Sequence, residues 1–458
     1  MDNNNITRRG FLKSVGAGTL ATAAVLSGCN GAEKDQNAGP LGEVPTDQMS
    51  YRSISKTGDK ISILGYGCMR FQMKGEGRNQ VVDQDSVDEL IDYALKHGVN
   101  YFDTAPVYLQ GQSEAAVGKA LARYDRKSFY LATKLSTMSV GGSPKDVYES
   151  SLAMYKASLE NLQTDYIDYY LLHNIGSIDA FNKRFVESGV LEYMLKEKEA
   201  GHIRNLGYSV HCNKETFDYI LAQDVQWDFV QIQMNYYDWA IGSARNVEAK
   251  YMYEELAKRG IPVVIMEPIQ GGRLASVDYS GINELRASKP GSTAASWAFR
   301  FCGTFPGVMT VLSGMTYMEH LQENIRTFAP FEPLTDEQTQ TLLDTAQFMS
   351  KRPMIQCNSC QYCMPCPYGL DIPGIITHYN KCLQEGNIIS DPADTEYKKA
   401  RRAFLIGYDR SVPRLRQASH CSGCQECIPK CPQHIDIPSE MVKINQFAEE
   451  LKKNSLTL

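Results

Sequence analysis

The 458-residue chain lacks a strong charge of either sign: its formal net charge is -6 and no Lys/Arg-rich patch stands out. An electrostatic case for binding nucleic acid is therefore missing. Beyond the N-terminus no apolar run reaches the roughly 18 residues that a membrane-spanning helix needs. A glycine-rich phosphate-binding turn is missing too. Gly16-Ala17-Gly18-Thr19-Leu20-Ala21 matches GxGxxA, but it follows no strand and lies inside a segment that reads as a leader, so it is set aside. Cysteine is sparse over most of the chain, where Cys68, Cys212, Cys302 and Cys382 stand isolated in the manner of small buried hydrophobes. What is present is the composition of a folded globular protein, 43% hydrophobic and 22% charged. The length suits about three domains, or one large domain with appendages. Eight of the 13 cysteines fall in two tight runs between Cys357 and Cys431, which composition alone does not produce.

The N-terminus reads as an address. Thr7-Arg8-Arg9-Gly10-Phe11-Leu12-Lys13 resembles the twin-arginine export signal and precedes a mildly apolar stretch, 14–27. Leu26-Ser27-Gly28-Cys29 resembles a lipobox, whose cysteine would carry a lipid anchor to the membrane. Residues 1–29 are thus expected to be a signal peptide and 30–50, rich in Gly, Asn, Asp and Pro, a flexible tether. Both place the protein in the bacterial cell envelope, in the periplasm or lipid-anchored at the membrane surface.

From residue 51 to about 335 one unit repeats: a short run of branched and aromatic residues, then an amphipathic segment. The runs are 61–64, 99–102, 129–132, 166–172, 203–208, 229–234, 263–266 and 308–312. Ser143-Pro144 reads as an N-cap with proline in the first turn of a helix, and Val147, Leu152, Tyr155, Leu159 and Leu162 as its buried stripe. Asp85 similarly opens a helix with Val87, Leu90, Ile91, Ala94 and Leu95 inward. Strands alternating with helices predict a parallel sheet, because a parallel connection needs a crossover. Eight such units fit an α/β fold of the closed (β/α)8 kind better than an open doubly wound sheet, which would need the glycine turn that is missing.

Function in such a barrel gathers at the C-terminal ends of the strands. Strand two ends in Asp103, with Tyr108 shortly after; strand three ends in Lys134, strand four in His173, strand five in Ser209; strand six carries Gln231 and strand seven ends in Glu267. Four of these form a coherent set. A tyrosine hydroxyl is a poor proton donor near neutrality. A neighbouring lysine ammonium favours the phenolate, and a buried aspartate keeps the lysine charged. A neutral histidine donating to a carbonyl completes an electrophilic site.

Together with Tyr51-Arg52, Leu64-Gly65-Tyr66-Gly67-Cys68-Met69-Arg70, Phe102-Asp103-Thr104-Ala105-Pro106-Val107-Tyr108, Ala132-Thr133-Lys134, Asp168-Tyr169-Tyr170-Leu171-Leu172-His173 and Leu206-Gly207-Tyr208-Ser209, the chain resembles the aldo-keto reductase family. The resemblance spans roughly 51–330. It implies a catalytic tetrad of Asp103, Tyr108, Lys134 and His173, with Tyr108 as general acid/base and His173 orienting the carbonyl of a small-molecule substrate. It implies hydride from NAD(P)H, with Ser209 and Gln231 at the nicotinamide carboxamide, Met266 where an aromatic residue stacks, and Glu323 and Asn324 at the adenine. Two departures stand out: Val210 and His211 follow Ser209 in place of an asparagine, and the basic clasp for the 2′-phosphate falls on Gly314 and His320. Glycine has no charge and histidine little near pH 7, so a weak preference between NADP and NAD is expected.

Residues 336–458 are expected to form a helical iron–sulfur domain. Cys357-x2-Cys360-x2-Cys363-x2-Cys366-Pro367 and Cys421-x2-Cys424-x2-Cys427-x3-Cys431-Pro432 resemble the two-cluster bacterial ferredoxin run. There the cysteine before proline crosses to the other cluster. The resemblance implies one [4Fe–4S] cluster on Cys357, Cys360, Cys363 and Cys431, and a second on Cys421, Cys424, Cys427 and Cys366. The x2 gap before Cys366 departs from the usual x3. Cys366-Pro-Tyr-Gly-Leu-Asp-Ile-Pro373 and Cys431-Pro-Gln-His-Ile-Asp-Ile-Pro438 are an internal repeat. Zinc and disulfides are the competing readings. Zinc favours separated CxxC pairs, and twin-arginine export carries folded proteins whose clusters were built in the cytoplasm. Helices are expected over 395–406, with Lys398, Lys399, Arg401 and Arg402 as an exposed face suited to a redox partner protein, and over 440–451. The leading reading is an exported carbonyl oxidoreductase with two clusters for electron transfer. Its rival is an electron-transfer lipoprotein in which the barrel is scaffold or the clusters are structural.

Overall fold

Helix starts in this chain follow local side-chain chemistry. In the computed structural model, helix α1, Gln84–Lys96, is capped by Asp83, whose carboxylate accepts from Ser86 N; Asp85, the expected start, falls in the first turn. Helix α2, Pro144–Leu162, begins at Ser143 with a reciprocal capping box to Asp146. Its inner face is Val147, Ser151, Tyr155, Ser158 and Leu162. Leu152 and Leu159, expected in the stripe, are only half-buried, and Ser151 and Ser158 take the buried positions beside them. The structure describes residues 43–54, 57–75, 79–138, 140–242, 248–277, 279–351 and 354–453. The twin-arginine motif, Cys29 and residues 30–42 of the tether lie outside the described residues.

Eight parallel strands close into one barrel in chain order: β1 (Leu64–Gly67), β2 (Tyr101–Asp103), β3 (Tyr130–Leu135), β4 (Ile167–Ile175), β5 (Ile203–Val210), β6 (Phe229–Gln233), β7 (Val263–Met266) and β8 (Val308–Ser313). Closure is made by β8 on β1, with Val311 opposite Leu64. Alternation along the strands sorts two apolar environments. Tyr101, Tyr169, Leu171 and Phe229 fill the interior, whereas Phe102, Tyr170 and Leu172 pack outward under the helices. The first apolar run splits, which corrects the expectation of one strand over 61–64. Lys60–Ser62 pairs antiparallel with Tyr51–Ser53, and the barrel strand starts only at Leu64. Ile54 and Ile61 of that hairpin join the interior cluster, so the hairpin plugs the end opposite the active face.

Beyond β8 and helix α3 (Met318–Phe328), helix α4 (Asp336–Ser350) lies against the barrel helices Tyr236–Ala240 and Ser280–Ser288. Its Leu342, Ala346 and Met349 belong to the barrel core. The expected boundary at 335/336 therefore sits too early in packing terms, and a second apolar cluster starts at Ile355. That cluster joins helices α5 (Ile372–Gln384), α6 (Tyr397–Ser411) and α7 (Ile437–Lys453) through Ile375, Ile376, Phe404, Tyr408, Met441 and Ile444. Among the described residues after 354 there is no strand. The repeat has a structural meaning: Asp371 caps α5 by accepting from Gly374 N, and Asp436 accepts from Ser439 N in the first turn of α7. Each cysteine-proline segment thus launches a helix. Lys398, Lys399 and Arg402 on α6 are exposed, and no helix among the described residues is long and apolar enough to cross a membrane.

Candidate active site

Strand ends deliver four side chains to the C-terminal mouth of the barrel. Lys134 donates to Asp103 Oδ1 at 2.6 Å and to the Thr104 carbonyl at 2.7 Å, with both side chains buried. The second carboxylate oxygen of Asp103 has no hydrogen-bond partner. Burial pushes the lysine down and the aspartate up, while their attraction opposes both shifts. The ammonium lies 4.7 Å from the centroid of the Tyr108 ring, on its face. This corrects the expectation that Lys134 lowers the phenol: burial, then the carboxylates of Asp103 and Glu267, hold Tyr108 well above its ordinary range. In this setting Tyr108 keeps its proton near neutrality. Leu109 and Gln110, which follow it, sit in the left-handed region (φ 51° and 58°), a strained turn that fixes where the ring stands.

His173 meets Tyr108 edge-on at 6.0 Å between ring centroids. Burial, then the cations Lys134 and Arg184, hold it well below the ordinary histidine range, so it stays neutral. Its Nδ1 lies 2.5 Å from Ser136 Oγ, and its carbonyl accepts from Arg184 Nη2 at 2.7 Å. With the serine hydroxyl donating to Nδ1, the ring presents Nε2–H to the site. Ser136 and Arg184 had no motif to reveal them.

The buried pair gives a first prediction. Lys134→Met should destabilise the chain by about 3–5 kcal/mol, because it leaves a buried carboxylate without its partner. The double variant with Asp103→Leu should recover most of that loss in thermal unfolding.

Ser209 and Gln231 stand opposite each other on β5 and β6. Ser209 Oγ accepts from Asn174 N at 2.9 Å and keeps its proton free to donate, while the buried Oε1 of Gln231 has no partner. A donor beside an unmet acceptor is what a carboxamide requires, so these residues fit a nicotinamide. Met266 ends β7, half-buried. Glu323 and Asn324 sit in α3 and are already engaged, Glu323 by the hydroxyl of Thr293 and Asn324 with Ser313 Oγ at 2.9 Å. Gly314 and His320 are exposed; a Cβ on Gly314 would lie 2.9 Å from Arg70 Cδ, so the arginine stem lies across the position where a basic residue is absent.

Cys357, Cys360, Cys363 and Cys431 line one small pocket, walled by Ile372, Pro373, Ile376, Ile435 and Ile437. Cys427 is electrostatically coupled to Cys424, Cys421 and Cys366. The structure thus groups each cysteine-proline residue with the opposite run. Gln361 and Gln425, each following the second cysteine of its run, share φ 65°, so both loops make the same turn. Among the described residues no three His, Cys, Asp or Glu side chains converge on a point as one ion requires. Burial pushes Cys363 up to about 12, so thiolates here need a cationic centre to form.

The first run lies over the barrel mouth. Arg70 donates to the carbonyls of Asn358 (2.8 Å) and Ser359 (3.1 Å), and Asn358 Nδ2 to Glu267 Oε1 (2.9 Å). Gly271, at φ 66°, touches Asn358 so closely that a Cβ would fall 1.9 Å from its carbonyl oxygen. Gln433 donates to Gln233 Oε1 at 3.1 Å, and Tyr362 is an electrostatic neighbour of Tyr108. None of these contacts carries a sequence signature. Glu267, beneath the run, is pushed up to about 7 by burial, Arg70 opposing.

A (β/α)8 barrel with a buried lysine–aspartate pair under a tyrosine defines an oxidoreductase of the carbonyl-handling class. The aldo/keto reductase family matches residues 63–346, and the chain belongs to that family. It is 27% identical over 319 residues to the uncharacterized oxidoreductase YqkF of Bacillus subtilis, covering 64% of this chain and 95% of that one. A match to a probable aldo-keto reductase 1 of Glycine max is 32% identical but spans 38% of this chain and 50% of that protein. Among solved structures, aldo-keto reductase AKR11C1 from Bacillus halodurans in its holo form is 26% identical with a TM-score of 0.51, covering 65% and 96% of the two chains. An aldo-keto reductase from Klebsiella pneumoniae in complex with NADPH shares the fold at 22% identity and TM-score 0.51, covering 64% and 94%.

Proposed function

We propose that this oxidoreductase interconverts an aldehyde or ketone and its alcohol at Tyr108, takes a nicotinamide dinucleotide, and carries two [4Fe–4S] clusters on its eight paired cysteines. The observation that carries the reading is the buried Lys134–Asp103 pair set against the Tyr108 ring opposite His173. His173 Nε2–H orients the carbonyl oxygen, and Tyr108 gives it a proton. Lys134, held charged by Asp103, offsets the phenolate that results. When bound, the nicotinamide supplies the hydride; Ser209 and Gln231 hold its carboxamide. The unmatched acceptor on Gln231 supports that assignment.

Anaerobically purified chain tests both halves together. It should reduce small aldehydes with a nicotinamide donor and contain about eight iron and eight acid-labile sulfide. Zinc in place of iron would overturn the cluster assignment. Because Gly314 and His320 offer no fixed cation, NADPH should be preferred over NADH by less than about tenfold, or roughly 1.4 kcal/mol. Isothermal titration with each dinucleotide measures this.

The leader motif supports an envelope location. In that reading Arg8 and Arg9 direct export of the folded chain and Cys29 anchors it. Arg8→Lys with Arg9→Lys should retain the iron-loaded chain in the cytoplasm, and Cys29→Ala should release the exported chain from the membrane fraction. Cytoplasmic activity alone in unaltered cells would refute it.

A further inference from the structure

We propose that Arg184 is a positioning residue of the carbonyl site: its one guanidinium holds both the backbone of His173 and the loop whose serine fixes the His173 ring. The proposal rests on His173 being the group that orients the carbonyl.

The need for such a residue arises in the sheet. Pairing of β3 with β4 ends at Leu135 opposite Leu172. Pairing of β4 with β5 shifts register between Leu172 and Ile175. His173 and Asn174 therefore lie in an irregularity of the ladder, the kind of interruption that re-aims a side chain beside an active site. Asn174 takes the left-handed region at φ 51°, where a residue other than glycine stays only if its surroundings hold it. Two groups do. Ser209 Oγ accepts from Asn174 N at 2.9 Å, and Arg184 Nη1 donates to the Asn174 carbonyl at 3.1 Å. The same guanidinium reaches the adjoining carbonyl of His173 through Nη2 at 2.7 Å.

Its third nitrogen turns to the neighbouring strand end, where Nε donates to Thr137 Oγ1 at 3.0 Å. Thr137 follows Ser136, whose hydroxyl oxygen lies 2.5 Å from His173 Nδ1. One side chain thus ties the ring's hydrogen-bond partner to the ring's own backbone. A planar guanidinium presents its N–H groups in a fixed fork, which a lysine ammonium on a flexible stem does not reproduce. Arg184 is only 8% exposed, and burying a cation is costly unless its donors are used. All three nitrogens are used around His173. The arginine is delivered by an irregular turn of its own: residues 182–186 form a π turn, closed by Glu187 N on the Asn182 carbonyl at 2.8 Å. Such turns are frequent at functional sites. The cation has an electrostatic effect as well. Around the imidazole stand Lys134 on β3, Tyr108 after β2, His211 after β5 and Arg184, and the positive charge of Lys134 and Arg184 adds to burial in keeping the ring neutral.

Two variants of the full chain and two readouts decide it. Arg184→Lys keeps the charge and loses the fork. It should lower kcat for aldehyde reduction by about 10- to 100-fold, as misplacing a reacting group by about 1 Å does, and move KM by less than about threefold. Arg184→Met loses the charge too. The second readout does not depend on turnover: imidazole 15N spectra of the histidine-labelled chain, with His173 assigned from a His173→Ala variant. In the unaltered chain Nε2 should carry the proton and Nδ1 should not. Arg184→Met should raise the pH at which His173 titrates by about one unit or more, because a nearby cation disfavours the charged ring. A kcat in Arg184→Lys within threefold of the unaltered chain would overturn the proposal. So would an unchanged His173 titration in Arg184→Met, even with a lower melting temperature, since a merely structural role predicts that pair. If Arg184→Met does not fold, the lysine variant decides alone. His173→Ala separates this from failure of the underlying function: if that variant turns over unimpaired, the carbonyl-orienting reading fails, whatever Arg184 does.

Discussion

Tyr108→Phe should lower the rate of carbonyl reduction by about 10²- to 10⁴-fold, the range for loss of a positioned general acid. The reason lies in how little else the hydroxyl does. The ring stays wedged between the Lys134 ammonium on its face and the edge of His173, contacts that phenylalanine keeps. Loss of one hydroxyl at a buried ring costs about 1 kcal/mol of stability. A large loss of kcat with a near-native melting curve is the expected pair of results. Burial holds Tyr108 well above its ordinary range and His173 well below its own, so neither should titrate between about pH 6 and 8. The rate of reduction should therefore be flat there as far as these two groups govern it. A steep change near pH 7 would point to Glu267, which burial brings to about 7.

Cys431→Ala should remove about four of about eight irons. Although it ends the second run in sequence, Cys431 lines the pocket of the first, so the group lost is the one on Cys357, Cys360 and Cys363. The reciprocal variant, Cys366→Ala, should empty the site of Cys421, Cys424 and Cys427 and leave the roof over the barrel intact. Iron and sulfide analysis with electron paramagnetic resonance of the reduced protein tells the two apart. If Cys431→Ala spared the first-run signal, the crossed pairing would be wrong.

The barrel was legible because its signal is local and repeated: eight apolar runs, each followed by a helix with its own start chemistry. Where the reading slipped, a non-local contact decided. Residues 61–64 look like one strand, but Ile61 is drawn into the hairpin that plugs the barrel while Leu64 opens β1. Asp83 displaced Asp85 as a cap because it alone precedes the first helical turn. Helix α4 looked like the start of the C-terminal region, yet its apolar stripe matches the barrel helices it lies on. At the site, Asp103, Lys134 and His173 could be named because strand ends are predictable places. Their effect on Tyr108 could not, since it depends on whether the ammonium meets the ring face or the hydroxyl. Arg70 was legible only as the end of its family stretch and Asn358 carried no pattern at all: their contact joins segments almost 300 residues apart, as Arg70 with Ser359 shows (a separation of 289).

The crossing of Cys431 into the first pocket also sets an order of events on the ribosome. Cys357, Cys360 and Cys363 emerge together, but their pocket lacks its fourth thiol and the Ile435 and Ile437 wall until the start of α7 has been synthesised. The nascent barrel, complete through α4, can collapse around its own core well before then. The covering segment gains its last tie to the barrel, Gln433 on Gln233, only when that stretch has been made.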